Sequence, residues 1–285
     1  MSTNETRPRV VFIAGLGHSG TTLLDLLLGA HPGVVGLGEV YNMLDPVLRE
    51  AEMDSYCSCG LHSTECPFWK QAYQAYDPLR DMEANYRALL AVAKKTFGPE
   101  TIIVDSSVGK VRFLPFLKAE TDLKVIFLTR DYRSWLHARH DSTQLPRLWL
   151  GLRWWAENLW LRHKLKQFGL SYFGFGYEEM ALHTEMVIPK MARFLKIDDH
   201  PDLRSPQRSK SHIVSGNIGR MDPEKRRQII YDSRWLTSAS TQFYAGLLGF
   251  LQGANRRWVY ANILNPKTGE HRVFGHSRKR AFMDG

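Results

Sequence analysis

The sequence predicts a single α/β domain built on a central parallel sheet with helices on its faces. Three observations carry the prediction. Residues 10–32 read as a buried strand, a glycine-rich turn and an apolar helix. From there to residue 197 short apolar runs alternate with longer amphipathic stretches, as right-handed parallel crossovers require. With 285 residues and 44% hydrophobic side chains, the chain can bury a real core, and a disordered class is excluded.

The first element is the run Val10, Val11, Phe12, Ile13, Ala14, suited to a strand covered on both faces. Gly15, Gly17 and Gly20 then punctuate a loop carrying His18, Ser19, Thr21 and Thr22, and five leucines between Leu23 and Leu28 open a helix. Such a P-loop-like turn cradles anions, because unpaired N–H groups and the helix dipole favour negative charge. Gly15 to Gly20 has the spacing of a nucleoside-triphosphate loop, but Thr21 stands where that loop needs its lysine. The loop is therefore suited to one phosphate-like group rather than to a triphosphate and its metal.

The stretch GLGHSGTTLLDLLLGAHPGVVGLGEV resembles the 5′-phosphosulfate loop of sulfotransferases that use 3′-phosphoadenosine 5′-phosphosulfate (PAPS). Ser19, Gly20, Thr21, Thr22, His31, Pro32, Gly38 and Glu39 match the family form. His18 departs from it, since the family commonly has arginine or lysine there. By the resemblance Glu39 is the general base, and His18 replaces the missing cation as imidazolium or donates one hydrogen bond as neutral imidazole. Gly17, His18, Ser19, Gly20, Thr21 and Thr22 are the expected contacts to the 5′-phosphosulfate.

Residues 42–52 read as a short helix. All three cysteines follow in YCSCGLHSTECPFW, with His62 between Cys59 and Cys66. Three readings stay open: zinc on Cys57, Cys59, Cys66 and His62, a disulfide, which a reducing cytosol disfavours, or a compact loop tied down by Phe68 and Trp69. The C-x-C spacing is tighter than the usual C-x-x-C. Residues 70–97 predict one helix, stopped by Gly98 and Pro99. The run 101–104 predicts a second strand ending in Asp105, and TIIVDSSVGK resembles the family's D-S-S-K segment. The family lysine falls near Val108, so Lys110 or Arg112 is expected to reach back in its place, or both are solvated charges.

LKVIFLTR predicts a third strand with Arg130 at its carboxyl end, where ligands of open parallel sheets bind. This segment resembles the 3′-phosphate motif and assigns Arg130 to that phosphate. Tyr132 replaces the family proline and Ala138 the serine, while Arg133 and Arg139 read as surface charges. Residues 148–168 predict a helix whose tryptophans are mostly core, one or two lining an acceptor pocket. A fourth strand, 170–177, ends in YEEM, and by resemblance Tyr177 packs on adenine while Glu178 is structural. After a helix over 186–197 and a polar linker, HIVSGNIGR resembles a lid over the nucleotide, with Gly216, Asn217 and Arg220 as contacts. A basic helix is expected over 223–232, then a closing helix with Trp235, Phe243, Tyr244, Leu247 and Leu248 inward.

These readings divide the chain into a polar segment 1–9, a sulfotransferase domain 10–255 and a basic tail 256–285, with a short hairpin expected at 266–269 and a basic cluster at Arg278, Lys279 and Arg280. The net charge of +9 suits anionic ligands. No apolar run reaches membrane-spanning length and Met1 to Arg9 is polar, so a cytoplasmic protein is expected. The resemblance implies PAPS as donor with no metal required, a small-molecule or glycan acceptor, and no nucleic acid partner. Two alternatives stay open: a nucleotide kinase or NTPase with a degenerate loop and Asp105 on magnesium, and a non-catalytic nucleic-acid-binding protein suggested by net charge and tail, which lacks the interleaved aromatic–basic stripes of a recognisable module. Acceptor identity and oligomeric state are open at this point.

Overall fold

The computed structural model of the chain describes residues 7–224, 227–267 and 270–272. The described residues form one α/β sheet of six strands: β1 (Arg9–Gly15), β2 (Val34–Gly36), β3 (Ile102–Asp105), β4 (Asp122–Thr129), β5 (Tyr172–Gly176) and β6 (Glu270–Arg272). Their spatial order is β2-β3-β1-β4-β5-β6. The first five run parallel, and β6 closes the edge antiparallel to β5.

Alternation along β1 explains the layering. Val10, Phe12 and Ala14 point into one core, and Val11 and Ile13 into the other. The second core is closed by Leu24, Leu27 and Leu28 of the helix Thr21–Leu28 and by Val187, Ile188 and Met191 of Thr184–Leu195. The first is closed by Met82–Phe97, Tyr132–Thr143 and Arg147–Gln167. Each such leucine contributes about 1.5–3 kcal/mol by leaving water. The carboxyl ends of β1, β3, β4 and β5 consequently open at one rim of the sheet.

Several elements differ from the sequence reading, each for a local reason. Proline interrupts two predicted helices: 42–52 is Val40–Leu44 and Pro46–Met53, and 70–97 is Pro67–Ala75 and Met82–Phe97, with Asp81 capping the latter. The strands β2 and β6 are three residues each, too short to show a pattern. Of the four tryptophans between 149 and 160 only Trp154 is core, while Trp149, Trp155 and Trp160 are 42–49% exposed. Their helix is apolar on more faces than the core can cover. Phe243 and Leu247 are likewise exposed, and only Leu248 of that group is fully inside.

No helix spans 223–232 among the described residues; residues 227–233 are irregular. The expected start of a basic tail at 256 falls inside the helix Gln252–Val259, which buries Trp258 and Val259 in the core. The turn at 268–269 and the cluster Arg278, Lys279, Arg280 lie outside the described residues. His62 does not join the cysteines. Its Nδ1 is 2.8 Å from Thr64 Oγ1 and its Nε2 3.6 Å from Asp54. No helix among the described residues is long and apolar enough to cross a membrane.

Candidate functional site

The loop after β1 turns back sharply. Ser19 donates its N–H to the Leu16 carbonyl at 3.1 Å, and His18 and Gly20 take left-handed angles, φ 67° and 94°. Gly20 is required twice over: besides its angle, a Cβ there would lie 2.5 Å from the Tyr177 ring. Trp135 Nε1 fixes the loop from below by donating to the Gly17 carbonyl at 2.7 Å. No side chain caps the first turn of Thr21–Leu28, an arrangement suited to seat an anion.

That seat is the floor of a cleft of about 760 Å³. His18, Gly20, Thr21, Thr22, Arg130 and Tyr177 line one side, and Asn217, Arg220, Asp232 and Arg234 the other. Eight of the residues singled out in the sequence therefore meet in one place. Arg130 is buried and anchored: Nε donates to Ser134 Oγ at 2.8 Å, Nη1 to the His18 carbonyl at 2.8 Å, and Nη2 to Asp232. Its guanidinium lies 5.1 Å from the centre of the Tyr177 ring, whose hydroxyl donates to the Ile230 carbonyl at 2.6 Å. Asn217 donates its N–H to Thr22 Oγ1 at 3.2 Å, tying the segment expected to act as a lid to the loop's helix.

The other expected contacts lie elsewhere. Ser19 is buried inside the turn, Gly17 lines a different cleft, and Gly216 packs against Thr22. Lys110 does not line this cleft; its ammonium sits 4.1 Å from the centre of the Tyr41 ring. Arg112 donates to the Tyr41 hydroxyl. Asp105 is buried and fully engaged, accepting from the Tyr86 hydroxyl at 2.8 Å and the Ser107 N–H at 2.9 Å. Arg133 is not a free surface charge, since it pairs with buried Asp131 at 2.6 Å.

Sequence reasoning missed Asp232, Arg234, Asp141 and Ser142 among the cleft residues. Asp232 and Arg234 come from an irregular stretch without a motif, and they pair at 2.7 Å. The Arg130 and Arg234 partners hold Asp232 down to about 2 despite its partial burial. Asp141 and Ser142 also line the cleft. Ser142 is one helical turn beyond Ala138, so helical spacing was a usable signal for a hydroxyl displaced from the family position. Its Oγ is 3.4 Å from His18 Nε2. Burial, with Arg139 and Arg130 adding to it, lowers the His18 pKa and favours neutral imidazole.

Glu39 heads the helix Val40–Leu44 directly after Gly38. Gly38 has φ 74°, and a Cβ there would come within 2.6 Å of the Ser215 carbonyl, so the segment around Ser215 crosses close to it. Glu39 Oε2 accepts from Asn42 Nδ2 at 3.1 Å, and Asn42 also donates to Ser215 Oγ. Ser215 Oγ in turn donates to Glu52 at 2.7 Å. Burial, reinforced by the Glu52 charge, raises the Glu39 pKa to about 7. The carboxylate lines neither cleft itself, but it shares the field of Lys110 and of Arg220, which does line the first.

A second cleft of about 510 Å³ opens on the other side of the loop, beside Gly15 and Gly17. Val108, Gly109, Arg139, Arg153 and Trp160 line it. Arg139, read as a surface charge, is thus a cleft residue.

Comparison with known proteins gives a family from one source and a fold from another. The model of the sulfotransferase family matches residues 8–202. Among solved structures, the sulfotransferase domain from the curacin biosynthetic pathway aligns over 86% of this chain and 98% of its own, at 18% identity and TM-score 0.56. The sulfotransferase domain of the Synechococcus PCC 7002 olefin synthase covers 89% and 98%, at 16% identity and TM-score 0.53. The mouse sulfotransferase SULT7A1, solved with PAP, covers 90% and 93%, at 15% identity and TM-score 0.50. At these identities the likeness is one of fold. No curated protein sequence matches the chain.

Proposed function

This chain belongs to the sulfotransferase family, and from that premise we propose that it moves a sulfuryl group from PAPS to a hydroxyl or amine. The observation that carries the reading is the first cleft, where an uncapped helix start, two threonine hydroxyls, a buried arginine and a tyrosine ring converge. The first two suit the 5′-phosphosulfate, Arg130 a 3′-phosphate held bidentately, and Tyr177 an adenine face. Asn217 and Arg220 close over the nucleotide as a lid, with Gly216 as its hinge against Thr22.

Sulfuryl transfer resembles phosphoryl transfer in spreading charge over equatorial oxygens with attacking and leaving groups in line. Fixed donors stabilise that charge: the N–H groups of the loop, Thr21, Thr22 and neutral His18, oriented by Ser142. No residue of this site is assigned to a metal. Glu39 takes the acceptor proton. With its pKa near 7 it is a better base at pH 7 than an ordinary carboxylate, provided it is ionised. Lys110, on the Glu39 side rather than the nucleotide side, favours that ionised form. The acceptor enters by the second cleft, where the Trp135 and Trp160 rings suit an apolar part and Arg139, beside the Arg153–Glu157 ion pair, a polar one. A magnesium-dependent kinase is disfavoured by the missing loop lysine and by Asp105, which is sealed behind Tyr86.

A titration with 3′,5′-adenosine bisphosphate tests the donor assignment. A hundredfold excess over Kd is expected to stabilise the fold by about 2.7 kcal/mol. A thermal shift with magnesium ATP and none with the bisphosphate would overturn the reading. Glu39→Gln is expected to lose activity about 10²–10⁴-fold while binding the bisphosphate normally. The wild-type rate should climb as pH rises through about 7, because the base must lose its proton. A rate that falls with pH over that window removes Glu39 from the role.

A further inference from the structure

The three cysteines find their fourth partner in the lid strand. The sulfurs of Cys57, Cys59 and Cys66 and a ring nitrogen of His212 all lie within 4.8 Å of one another. His212 Nδ1 is 3.1 Å from Cys66 Sγ and 3.9 Å from Cys57 Sγ. A tetrahedral zinc ion with Zn–S of about 2.3 Å and Zn–N of about 2.0 Å sets ligand–ligand edges of about 3.6–3.8 Å. The cluster needs shifts of about an ångström or less to reach that geometry. We propose that Cys57, Cys59, Cys66 and His212 form a structural zinc site that staples the loop after Glu39 to the strand leading into the lid.

The surroundings are built for it. Cys57 and Cys66 are wholly buried, and Cys59 reaches the same point from the surface across a tight turn. Gly60 makes that turn, with φ 94° and its N–H donating to the Cys57 carbonyl at 2.8 Å. His212 is held from behind by its backbone: its carbonyl accepts from Trp69 Nε1 at 2.6 Å, and its N–H donates to the Gly36 carbonyl at 2.7 Å. Its ring packs against Phe97 and Phe68, with centroids 5.3 and 6.1 Å away. The two segments are also laced by Ser58, whose N–H donates to Ile213 O at 2.8 Å and whose hydroxyl donates to Ser211 O at 2.6 Å. Four ligands leave no open position, as a structural rather than a catalytic site requires. Three residues beyond His212 lies Ser215, which holds Asn42 and Glu52, so the ion braces the wall behind Glu39. This cluster is separate from the residues of the nucleotide cleft.

The test is metal content. The full chain, expressed with zinc and purified under a non-thiol reductant, is expected to carry about one zinc per chain by mass spectrometry of the elements. A mercurial thiol reagent should release it as the thiols are titrated. Cobalt substitution should give the visible bands of a tetrahedral thiolate site. Cys66→Ser and His212→Ala are expected to lose the metal. Since either variant can also fail to fold, His212→Cys is the control, expected to keep zinc with four thiolates. A folded wild-type protein that takes up no zinc, a disulfide between any two of the cysteines, or full zinc retention in both Cys66→Ser and His212→Ala would each overturn the proposal.

Discussion

The glycine-rich loop and the cysteine–histidine wall behind Glu39 are made in opposite ways. The loop is one short continuous stretch, and its shape follows from local causes: two left-handed angles, a short turn and the start of one helix. The wall joins segments far apart in the chain, with Cys66 and Cys57 meeting His212 across 146 and 155 residues. Backbone-made sites are written in neighbouring residues, whereas side-chain-made sites are written in halves that gain meaning only once folded.

The largest effect is expected where the local site has no tolerance. Gly20→Ala puts a Cβ at φ 94° and 2.5 Å from the Tyr177 ring. The left-handed angle alone costs about 1–2 kcal/mol, and Tyr177 must also leave the cleft wall. Calorimetry with 3′,5′-adenosine bisphosphate should show binding weakened about 100-fold or more, the equivalent of about 2.7 kcal/mol. Zinc content should stay at the wild-type level. Normal nucleotide affinity would show that the loop is not the seat, and loss of zinc would show that the two regions are not independent.

A smaller and sharper effect is expected at Arg130. Removing a charged hydrogen-bond partner costs about 1.5–3 kcal/mol, so Arg130→Ala should weaken the bisphosphate by one to two powers of ten. Asp232→Asn should do the reverse. Asp232 holds the same guanidinium, and neutralising it leaves Arg130 freer for a phosphate. Opposite changes in Kd for the two variants would place the 3′-phosphate at Arg130. Equal weakening would mean that their pair only supports the fold.

These residues show how much was legible beforehand. Four of the six strands and the loop followed from apolar runs and glycine spacing, because burial on both faces leaves an unbroken apolar run. Arg130 was indicated by its place at a strand's carboxyl end together with the family resemblance, and Tyr177 by the resemblance alone. Asp232 had no such signal: it is one acidic residue in an irregular segment, and its role comes from Arg130 being across the cleft. Lys110 was placed on the nucleotide by analogy with a motif it does not match in register, and it stands over Tyr41 instead. His62 sits between the cysteines in sequence, yet the turn that brings the sulfurs together carries it outward. The tryptophans of Arg147–Gln167 misled for another reason, since composition gives no face to a helix that is apolar most of the way round.

The two regions touch at Asp25, where the smallest effect on nucleotide affinity is expected. Asp25 lies on the loop's own helix, and its Oδ2 accepts from the Gly38 N–H at 3.1 Å and the Ser106 hydroxyl at 2.8 Å. It thereby links the anion seat to the turn that presents Glu39. Complete burial raises its pKa from 3.8 to about 8. The unfolded chain loses this proton near pH 4 and the folded one near pH 8, so between those values the folded state holds the extra proton. Stability must then fall as pH rises across that window, by about 1.4 kcal/mol per pH unit for one proton, and level off above it. A carboxamide in place of this carboxyl cannot titrate, keeps an oxygen for Gly38 and Ser106, and offers an N–H at the other position. In Asp25→Asn the gain in thermal stability over wild type should therefore grow from about pH 5 to about pH 8, with nucleotide affinity nearly unchanged. Subtracting the two proteins removes Glu39, which titrates near 7 in both. A difference that stays flat with pH would mean that Asp25 is ionised in the folded protein, and that the turn before Glu39 is held by a charge rather than by a neutral carboxyl.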